Sequence, residues 1–437
     1  LNPNYGGGQP RAFDERPVPA NQKYGFALQT FATGNTRTAC VRWNTQQAPL
    51  DYQTPLLPHG THRIKWFVVD GCGNETTCEY EFTIIDGNDA CMPTEVTVSG
   101  SIKTEAGAGI SNVAVVLDGL TEDQQPFNLF ALPDANGYYE FTINAGDSYT
   151  ITPVRDDDPL NGVSTLDMLL INKHILGIDP LPSPFKLVAA DANGSRSATT
   201  FDIVEIRKLI LGINTQFPNN TSWRFVDAEY QFPNPANPFQ EIFPEMKSGL
   251  DVPPGSPPIV HDFTGIKTAD VNGNAIPNAQ APQPEDRAAA HLILDDALLQ
   301  AGETRRIALR WDEAARLEGL QFALQFDPQQ VAIRALDPGR HVGARSPLAQ
   351  HYAQPAPGLL TFSWDDLSAP AFDAGEPLIY LQVEALQTLQ LGTALRLHNA
   401  ALRSEAYPAG AAPLSLGLAF TGTVKPSLTE IFPPQPN

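Results

Sequence analysis

The sequence has few positive charges and no long apolar run, and both shortages exclude classes of partner. Its 437 residues include 28 Lys and Arg against 49 Asp and Glu, a formal net charge of -21. Nucleic acids and anionic membrane surfaces bind to a clustered positive face, so neither is expected as a partner. No run approaches the roughly 18 apolar residues of a membrane span, so no span is expected. The start, LNPNYGGGQP, has no signal-peptide pattern, so either a leader has been removed or the chain is part of a longer precursor.

Catalytic motifs are also missing. The sequence has no phosphate-binding glycine loop ending in Lys-Ser or Lys-Thr, no Gly-x-Ser-x-Gly and no His-Glu-x-x-His. Asp365 and Asp366 could form a carboxylate pair, but adjacent residues of a strand point to opposite faces, which does not suit shared acid–base chemistry. We therefore expect a protein that is not an enzyme.

Cysteine is scarce and clustered. The four residues are Cys40, Cys72, Cys78 and Cys91. Clustering of this kind predicts two disulfides in one small extracellular domain, with three possible connectivities. A zinc site is the alternative, although the spacings do not form two Cys-x-x-Cys pairs.

Proline and glycine are plentiful, which favours short strands joined by many turns. The chain has 40 Pro and 33 Gly, and only 18% of its residues are charged, while 42% are hydrophobic. These values indicate folded cores rather than disorder, and the length suggests roughly three or four domains. The expected fold class is mainly β, with several immunoglobulin-like sandwiches.

The cysteine-rich region contains a hairpin pattern. The stretch HRIKWFVVDGCGNETTCEYEFTIID alternates apolar and polar residues on both sides of the Gly73-Asn74 turn. It resembles the end of an immunoglobulin-like hyalin repeat, which implies a disulfide-bonded domain over residues 24–93 after a tail of residues 1–23.

Two loops carry oxygen side chains at alternate positions, and each is followed by a helical pattern. The second loop, DANGSRSATTFD, offers Asp191, Asn193, Ser195, the carbonyl of Ser197, Thr199 and Asp202. The first loop, DDDPLNGVSTLD, offers Asp156, Asp158, Ser164 and Asp167, but Leu160 can give only its backbone oxygen. Calcium takes six to eight oxygen ligands from such loops. We therefore predict two calcium sites, of which the first is weaker.

The helices that follow end in LLINKHILG and EIRKLILG. A duplicated loop and helix with Asp at the twelfth loop position resembles the type I dockerin module, here over residues 155–216. The resemblance implies that Asn172, Lys173, Arg207 and Lys208 lie on or near a face that meets a partner; the alternative is that they are solvated basic helix ends. The calcium ions are either structural staples, which we favour, or a switch.

The segments on either side of the helices differ in composition. Residues 94–154 have short alternating strands and resemble a carboxypeptidase regulatory-like sandwich. Residues 217–284 are rich in Pro, Asn and aromatics, and they are expected to wrap the helix pair and cover apolar surface. Within them Asp270, Asn272 and Asn274 form a third oxygen-rich loop with no acid at the twelfth place. It is either a simple turn, which we favour, or a source of ligands for a neighbouring site.

The last large module covers residues 285–424. Strand-like runs recur with period-two alternation, and the order AGETRRIAL, GLQFALQFDPQQVAI, GLLTFSWDD resembles a cohesin-like sandwich. Cohesins are receptors for dockerins, so one chain could carry both partners and associate head to tail into a filament. The alternative is that the modules fold independently and do not pair. Trp364 could stack on a sugar ring, but we favour core packing.

The tail of residues 425–437 includes TEIFPPQPN, which resembles the beginning of a type IX secretion sorting domain. The protein is therefore expected outside the cell, secreted or at the cell surface. We predict a non-enzymatic structural or adhesive protein, stabilised by calcium, that assembles with copies of itself into a fibre. The alternative is a scaffold module of cohesin or dockerin type that binds polysaccharide or another protein.

Overall fold

The structure is a computed structural model, and it describes residues 95–253, 255–278 and 289–421 together with four strands between residues 24 and 84. The chain divides into two compact units. One comprises Leu1–Val96 and Val252–Pro257, and the other comprises Thr97–Asp251 and Pro258–Asn437. The predicted tails, residues 1–23 and 425–437, lie outside the described residues.

The first unit contains one antiparallel sheet in the order β2-β1-β3-β4. Its strands are β1 (Tyr24–Thr30), β2 (Ala39–Trp43), β3 (Gly60–Val69) and β4 (Glu75–Ile84). Strands β3 and β4 form the hairpin that the alternation around Gly73-Asn74 predicts. Cys40 lies on β2 and Cys78 on β4, whereas Cys72 and Cys91 lie outside the described residues, so the disulfides remain a prediction.

The second unit begins with the strands of two small sheets. Their first strands are β5 (Glu95–Thr104), β6 (Ala114–Leu120), β7 (Pro126–Ala131), β8 (Tyr138–Asn144) and β9 (Ser148–Val154). Alternate residues of β8, namely Tyr139, Phe141 and Ile143, are buried while their neighbours are exposed. This is the period-two pattern of a sheet with one face on a core.

Three helices follow. They are α1 (Thr165–Ile175), α2 (Pro184–Ala190) and α3 (Thr200–Ile210). Ser164 and Thr199 cap α1 and α3 through reciprocal capping boxes with Asp167 and Asp202. We call α1 and α3 the helix pair; they share a buried core that includes Met168, Ile171, Ile203, Ile206 and Ile210.

Residues 217–284 contain strands that the sequence analysis did not predict. These are β10 (Trp223–Asp227), β11 (Lys247–Asp251), β12 (Ile259–Val260) and β13 (Phe263–Lys267). They extend the two small sheets, one in the order β10-β13-β5-β12 and the other in the order β11-β9-β6-β7. Phe217, Phe232 and Phe243 of the same segment are buried in the core of the helix pair.

Residues 289–421 form what we call the C-terminal sandwich. Its strands are β14 (Ala289–Asp295), β15 (Leu298–Leu299), β16 (Thr304–Trp311), β17 (Ala315–Phe326), β18 (Val331–Pro338), β19 (Tyr352–Ala356), β20 (Leu359–Asp365), β21 (Ala371–Phe372), β22 (Pro377–Ala385), β23 (Leu389–Gln390), β24 (Leu395–Leu397), β25 (Glu405–Pro408) and β26 (Leu414–Thr421), with a 3-10 turn at Leu348–Gln350 and a short helix α4 (Leu391–Ala394). Eleven of these strands form one sheet, which encloses a core around Trp311, Phe322 and Phe362.

The fold is therefore mainly β with a small helical module between β segments, as the composition and alternation predict. No helix in the described part of the chain has the length and hydropathy that crossing a membrane requires.

Candidate metal loops and the helix–sandwich interface

The second predicted calcium loop gathers its oxygen atoms. The Asp191 carboxylate accepts hydrogen bonds from Ser195 N at 2.8 Å and Arg196 N at 2.9 Å. The Ser195 hydroxyl is 3.4 Å from the same carboxylate and 3.3 Å from the Ser197 carbonyl oxygen. The loop therefore turns around a small set of oxygen atoms, as a cation loop does.

Asp202 closes this loop from the first turn of α3. Its Oδ1 accepts from Asn193 N at 3.0 Å, and its Oδ2 accepts from Thr199 N at 2.7 Å and from Thr199 Oγ1 at 3.0 Å. Asp191 and Asp202 are both fully buried. Burial raises the pKa of Asp191, and the negative charge of Asp202 raises it further. The Arg224 guanidinium, whose Nη1 lies 3.9 Å from Asp191 Oδ2, lowers this pKa in part.

The first predicted loop is arranged differently. The Asp156 and Asp158 side chains are exposed, and Asp156 Oδ1 accepts a hydrogen bond from Ser222 N at 2.8 Å. The Leu160 carbonyl accepts from Val163 N at 3.0 Å. The oxygens at the beginning of this loop therefore serve other partners, and they do not repeat the hydrogen bonds of the second loop.

Asp167, at the end of the first loop, is fully buried and meets a distant segment. Its Oδ2 accepts from Ser164 N and Ser164 Oγ, both at 3.0 Å. Its Oδ1 accepts from Val271 N at 3.0 Å and Asn272 N at 3.2 Å. Burial raises the pKa of Asp167, and the charge of nearby Asp270 raises it further. The third oxygen-rich loop therefore lies beside the first helix.

The donor set is consistent with calcium at the second loop. Within the described residues, no three His, Cys, Asp or Glu side chains form a metal-binding cluster. The loop instead combines two carboxylates with amide, hydroxyl and carbonyl oxygens, which suits a hard cation better than zinc. Asp191, Asn193, Ser195, Ser197 and Asp202 are the residues that would hold the ion, with Thr199 capping α3.

The helix pair packs on one face of the C-terminal sandwich. Alternate residues of β17 and β20 form what we call the docking face: Gly319, Gln321, Ala323, Thr361, Ser363 and Asp365. The residues between them, such as Leu320, Phe322 and Phe362, belong to the sandwich core. The sheet is therefore covered on both faces here.

The docking face holds the start of α1 through buried polar contacts. Thr165 N donates to Gln321 Oε1 at 2.6 Å, and the hydroxyls of Thr165 and Ser363 are 2.7 Å apart. Thr361 Oγ1 donates to the carbonyl of Leu211, just after α3, at 2.7 Å. These side chains on the sandwich are at most 3% exposed. Gln321, Thr361 and Ser363 therefore each have a partner on the helical module.

Close packing surrounds these bonds. A Cβ on Gly319 would lie 3.2 Å from Thr165 Cγ2 and 3.3 Å from Leu169 Cδ1. Ala323 and Leu402 of the sandwich are buried in the same apolar cluster as the helix pair. The contact therefore has the character of a protein interior rather than of a wet surface.

The four residues predicted to meet a partner divide between two roles. Lys173 Nζ donates to Glu318 Oε2 at 2.8 Å, and Arg207 forms an ion pair with Asp365. Lys208 instead pairs with Glu205 on its own helix at 2.7 Å, and Asn172 is half-buried with its carbonyl bonded to Leu176 N. Lys173 and Arg207 thus contact the sandwich of the same chain.

Sequence reasoning missed the docking face itself. Gln321, Thr361 and Ser363 alternate with core residues, so their strands resemble ordinary half-exposed strands. Nothing local in such a pattern distinguishes a face covered by helices from a face in water. Trp364 is 2% exposed and packs edge-on against Phe372, so it is a core residue and offers no sugar-stacking surface.

No protein-family model and no curated protein matches the chain. Among solved structures, the seventh ScaB type I cohesin from Pseudobacteroides cellulosolvens is 11% identical, with 31% of this chain and 88% of that chain covered and a TM-score of 0.23. A non-cellulosomal cohesin from Archaeoglobus fulgidus is 14% identical, with coverages of 30% and 90% and a TM-score of 0.23. A type I cohesin–dockerin complex from Clostridium thermocellum gives 12% identity, coverages of 31% and 94% and a TM-score of 0.24.

Proposed function

We propose that this chain is a non-enzymatic, extracellular scaffold segment in which a dockerin-like helix pair binds the cohesin-like sandwich of the same chain. The observation that carries the proposal is the docking face, where Gln321, Thr361 and Ser363 are buried and bonded to the helix pair. The chain would thereby form one stiff element from modules that usually pair between separate proteins.

The polar contacts make opening of this interface unfavourable. Opening exchanges each of these hydrogen bonds for bonds to water, so each contributes about 0.5–1.5 kcal/mol to keeping the interface closed. The pair of Arg207 and Asp365 adds opposite charges whose side chains are only 16% and 9% exposed. We therefore expect the helix pair to stay bound under ordinary conditions.

Attachment within one chain also favours internal pairing over association between copies. The covalent link turns docking into an intramolecular event, with an effective concentration that can reach the millimolar range. A head-to-tail fibre built through this face would require each helix pair to leave its own sandwich and enter the next copy. Self-docking therefore opposes the fibre that the sequence analysis predicted.

Calcium is proposed as a structural ion in the loop of residues 191–202. This loop ends at Asp202 in the first turn of α3, and α3 also supplies Arg207 to the docking face. The ion would neutralise the buried carboxylates of Asp191 and Asp202 and hold α3 in its bound position. The acidic composition and the clustered cysteines support an extracellular location.

A charge exchange across the interface tests the proposal. In the full chain, Asp365→Arg places two like charges together, a juxtaposition that costs several kcal/mol in an interface. Hydrogen exchange followed by mass spectrometry should show loss of amide protection in α1 and α3. The double variant Arg207→Asp with Asp365→Arg restores opposite charges, and protection should return.

The matched control is Asp337→Arg, which breaks an exposed pair with Arg306 elsewhere on the same sandwich. It should leave the protection of the helix pair unchanged. Light scattering on the same samples should give a monomer for the native chain at every concentration. Unprotected helices in the native monomer, or assembly with helices exchanged between copies, would contradict self-docking.

A further inference from the structure

We propose that a second calcium site is built from two separate segments: Ser164 and Asp167 at the start of α1, and Asp270, Asn272 and Asn274 in the turn after β13. This assignment replaces the contiguous loop of residues 156–167. It rests on the proposed calcium binding at residues 191–202, to which it adds a site of the same design.

The two aspartates that open the helices have equivalent partners. In the second loop, Asp202 Oδ1 accepts from Asn193 N at 3.0 Å, and Thr199 donates to Oδ2 through its N and Oγ1. Beside α1, Asp167 Oδ1 accepts from Asn272 N at 3.2 Å, and Ser164 donates to Oδ2 through its N and Oγ. Asn272 thus takes the place of Asn193, although it lies 105 residues after Asp167.

The turns that approach these aspartates are also equivalent. Asp270 Oδ1 accepts from Asn274 N at 3.2 Å, and its Oδ2 accepts from Ala275 N at 2.9 Å. Asn272 Oδ1 accepts from Asn274 N at 3.0 Å, and the intervening Gly273 has a φ of +78°.

In the second loop, Asp191 accepts from Ser195 N at 2.8 Å and from Arg196 N at 2.9 Å. Asn193 Oδ1 accepts from Ser195 N at 2.9 Å, and Gly194 has a φ of +72°. The two turns therefore share these backbone hydrogen bonds, and the Asp270 turn adds one from Gly273 N at 2.7 Å.

The sequence repeats in the same divided way. Residues 190–195 read ADANGS and residues 269–274 read ADVNGN, while residues 199–202 read TTFD and residues 164–167 read STLD. In the second loop the motif ADANGS precedes the motif TTFD. In the divided site the corresponding motif ADVNGN comes later in the chain than STLD. The third oxygen-rich loop lacks an acid at its twelfth place because Asp167 supplies it.

Burial and charge favour a cation between these segments. Asp167 is fully buried and Asp270 is 5% exposed, so two carboxylates meet with little solvent between them. The positive charges of Lys186 and Lys267 also act on Asp270, and a bound cation would compete with them. Asp156 and Asp158 are exposed by comparison, and they lie outside this constellation.

Isothermal titration of the calcium-free full chain with Ca²⁺ tests the inference, with Asp270→Asn as the first variant. The native chain should bind two ions. Asp270→Asn should keep the native calcium affinity of the loop of residues 191–202 and should weaken calcium binding at the divided site by at least about tenfold. Even the loss of a group that only supports a metal ligand typically lowers metal affinity 10–100-fold. The control Asp156→Asn should retain both ions.

Asn274→Ala is a second variant for the same titration, in case Asp270→Asn disturbs folding. The Asn274 side chain is exposed, and its backbone N makes the turn bonds, so the variant removes only a side-chain oxygen and should still weaken one site. The divided site would be refuted if Asp270→Asn and Asn274→Ala both bound two ions with native affinity, or if Asp156→Asn lost a site. Neither result would affect the proposed calcium site at residues 191–202. A chain that binds no calcium would refute both proposals.

Discussion

Thr165, the first residue of α1, and Ser363, in the middle of β20, share a hydrogen bond of 2.7 Å between two hydroxyl groups that are both closed to solvent. The two residues are 198 positions apart. The bond joins the helical module to the sandwich at a point where neither hydroxyl can turn to water. It therefore reports directly on whether the two modules act as one folded body.

A double-mutant cycle on this pair should reveal the coupling. Thr165→Val and Ser363→Ala each leave one buried hydroxyl unpaired, and each should lower the free energy of unfolding by about 1–3 kcal/mol. The double variant removes both partners and should lose clearly less than the sum, because residues in contact are not additive. Urea unfolding followed by circular dichroism measures the three values. Additive losses would mean that the modules unfold independently.

Acidification should loosen the same region through His351. This histidine is 1% exposed, and its Nδ1 lies 3.0 Å from the carbonyl oxygen of Ser363. Burial lowers the pKa of His351 below its ordinary 6.5, and the charge of nearby Arg207 lowers it further, against the opposing effects of the hydrogen bond to Ser363 and of the Asp365 charge. The neutral ring is therefore the form that the folded protein prefers.

Stability from His351 is present above pH 6.5 and is lost as the pH falls from that value toward the depressed pKa of the folded state. Thermal melting between pH 7.5 and roughly pH 5 should show a decline that His351→Gln reduces. His291→Gln, at a half-exposed ring on β14, should follow the native decline. Equal profiles for the native chain and His351→Gln would remove His351 as the cause.

Local sequence was enough to predict the helix that follows the second loop. The residues from Asp191 to Asp202 are contiguous, and the cap of Thr199 on α3 depends on residues only three positions apart. Likewise Gly177 and Gly212 take left-handed conformations, with φ of +68° and +70°, as expected just after a helix. Short α2 was missed, although Ser183 as cap and Pro184 as first residue are typical helix-start signals.

The position of the third oxygen-rich loop required the tertiary fold. Its turn chemistry was visible in the sequence, but its neighbour was not. Strand β13 runs parallel to β5 and antiparallel to β10, and just beyond it Ala269 N donates to the carbonyl of Ala189 at 2.8 Å. These pairings bring the turn to Asp167. The divided site proposed above depends on this parallel pairing between residues far apart in the chain, which sequence spacing alone does not include.

The strand order of the first unit limits the disulfide pattern. Cys40 on β2 and Cys78 on β4 are separated by β1 and β3. Three strand spacings amount to about 14 Å, while a disulfide needs Cα atoms within about 7 Å. Cys40 is therefore expected to pair with Cys72 or Cys91. Peptide mapping without reduction measures this, and a Cys40–Cys78 peptide would contradict the strand order.

Calcium removal should act first on the helix pair and only then on the sandwich. A ligand that binds only the folded state stabilises it by about 2.7 kcal/mol at a hundred times its dissociation constant. We expect EDTA to lower the melting temperature and to increase hydrogen exchange in α3, while strands such as β16 and β22 keep their protection.

Asp191→Asn should reproduce most of this change in the presence of calcium, because Asp191 is buried at the centre of the second loop. Asp123→Asn, at an exposed turn, should respond to EDTA as the native chain does. Equal loss of protection throughout the second unit would mean that calcium stabilises the whole unit cooperatively, and unchanged protection in α3 would mean that the ion does not hold the docked helix.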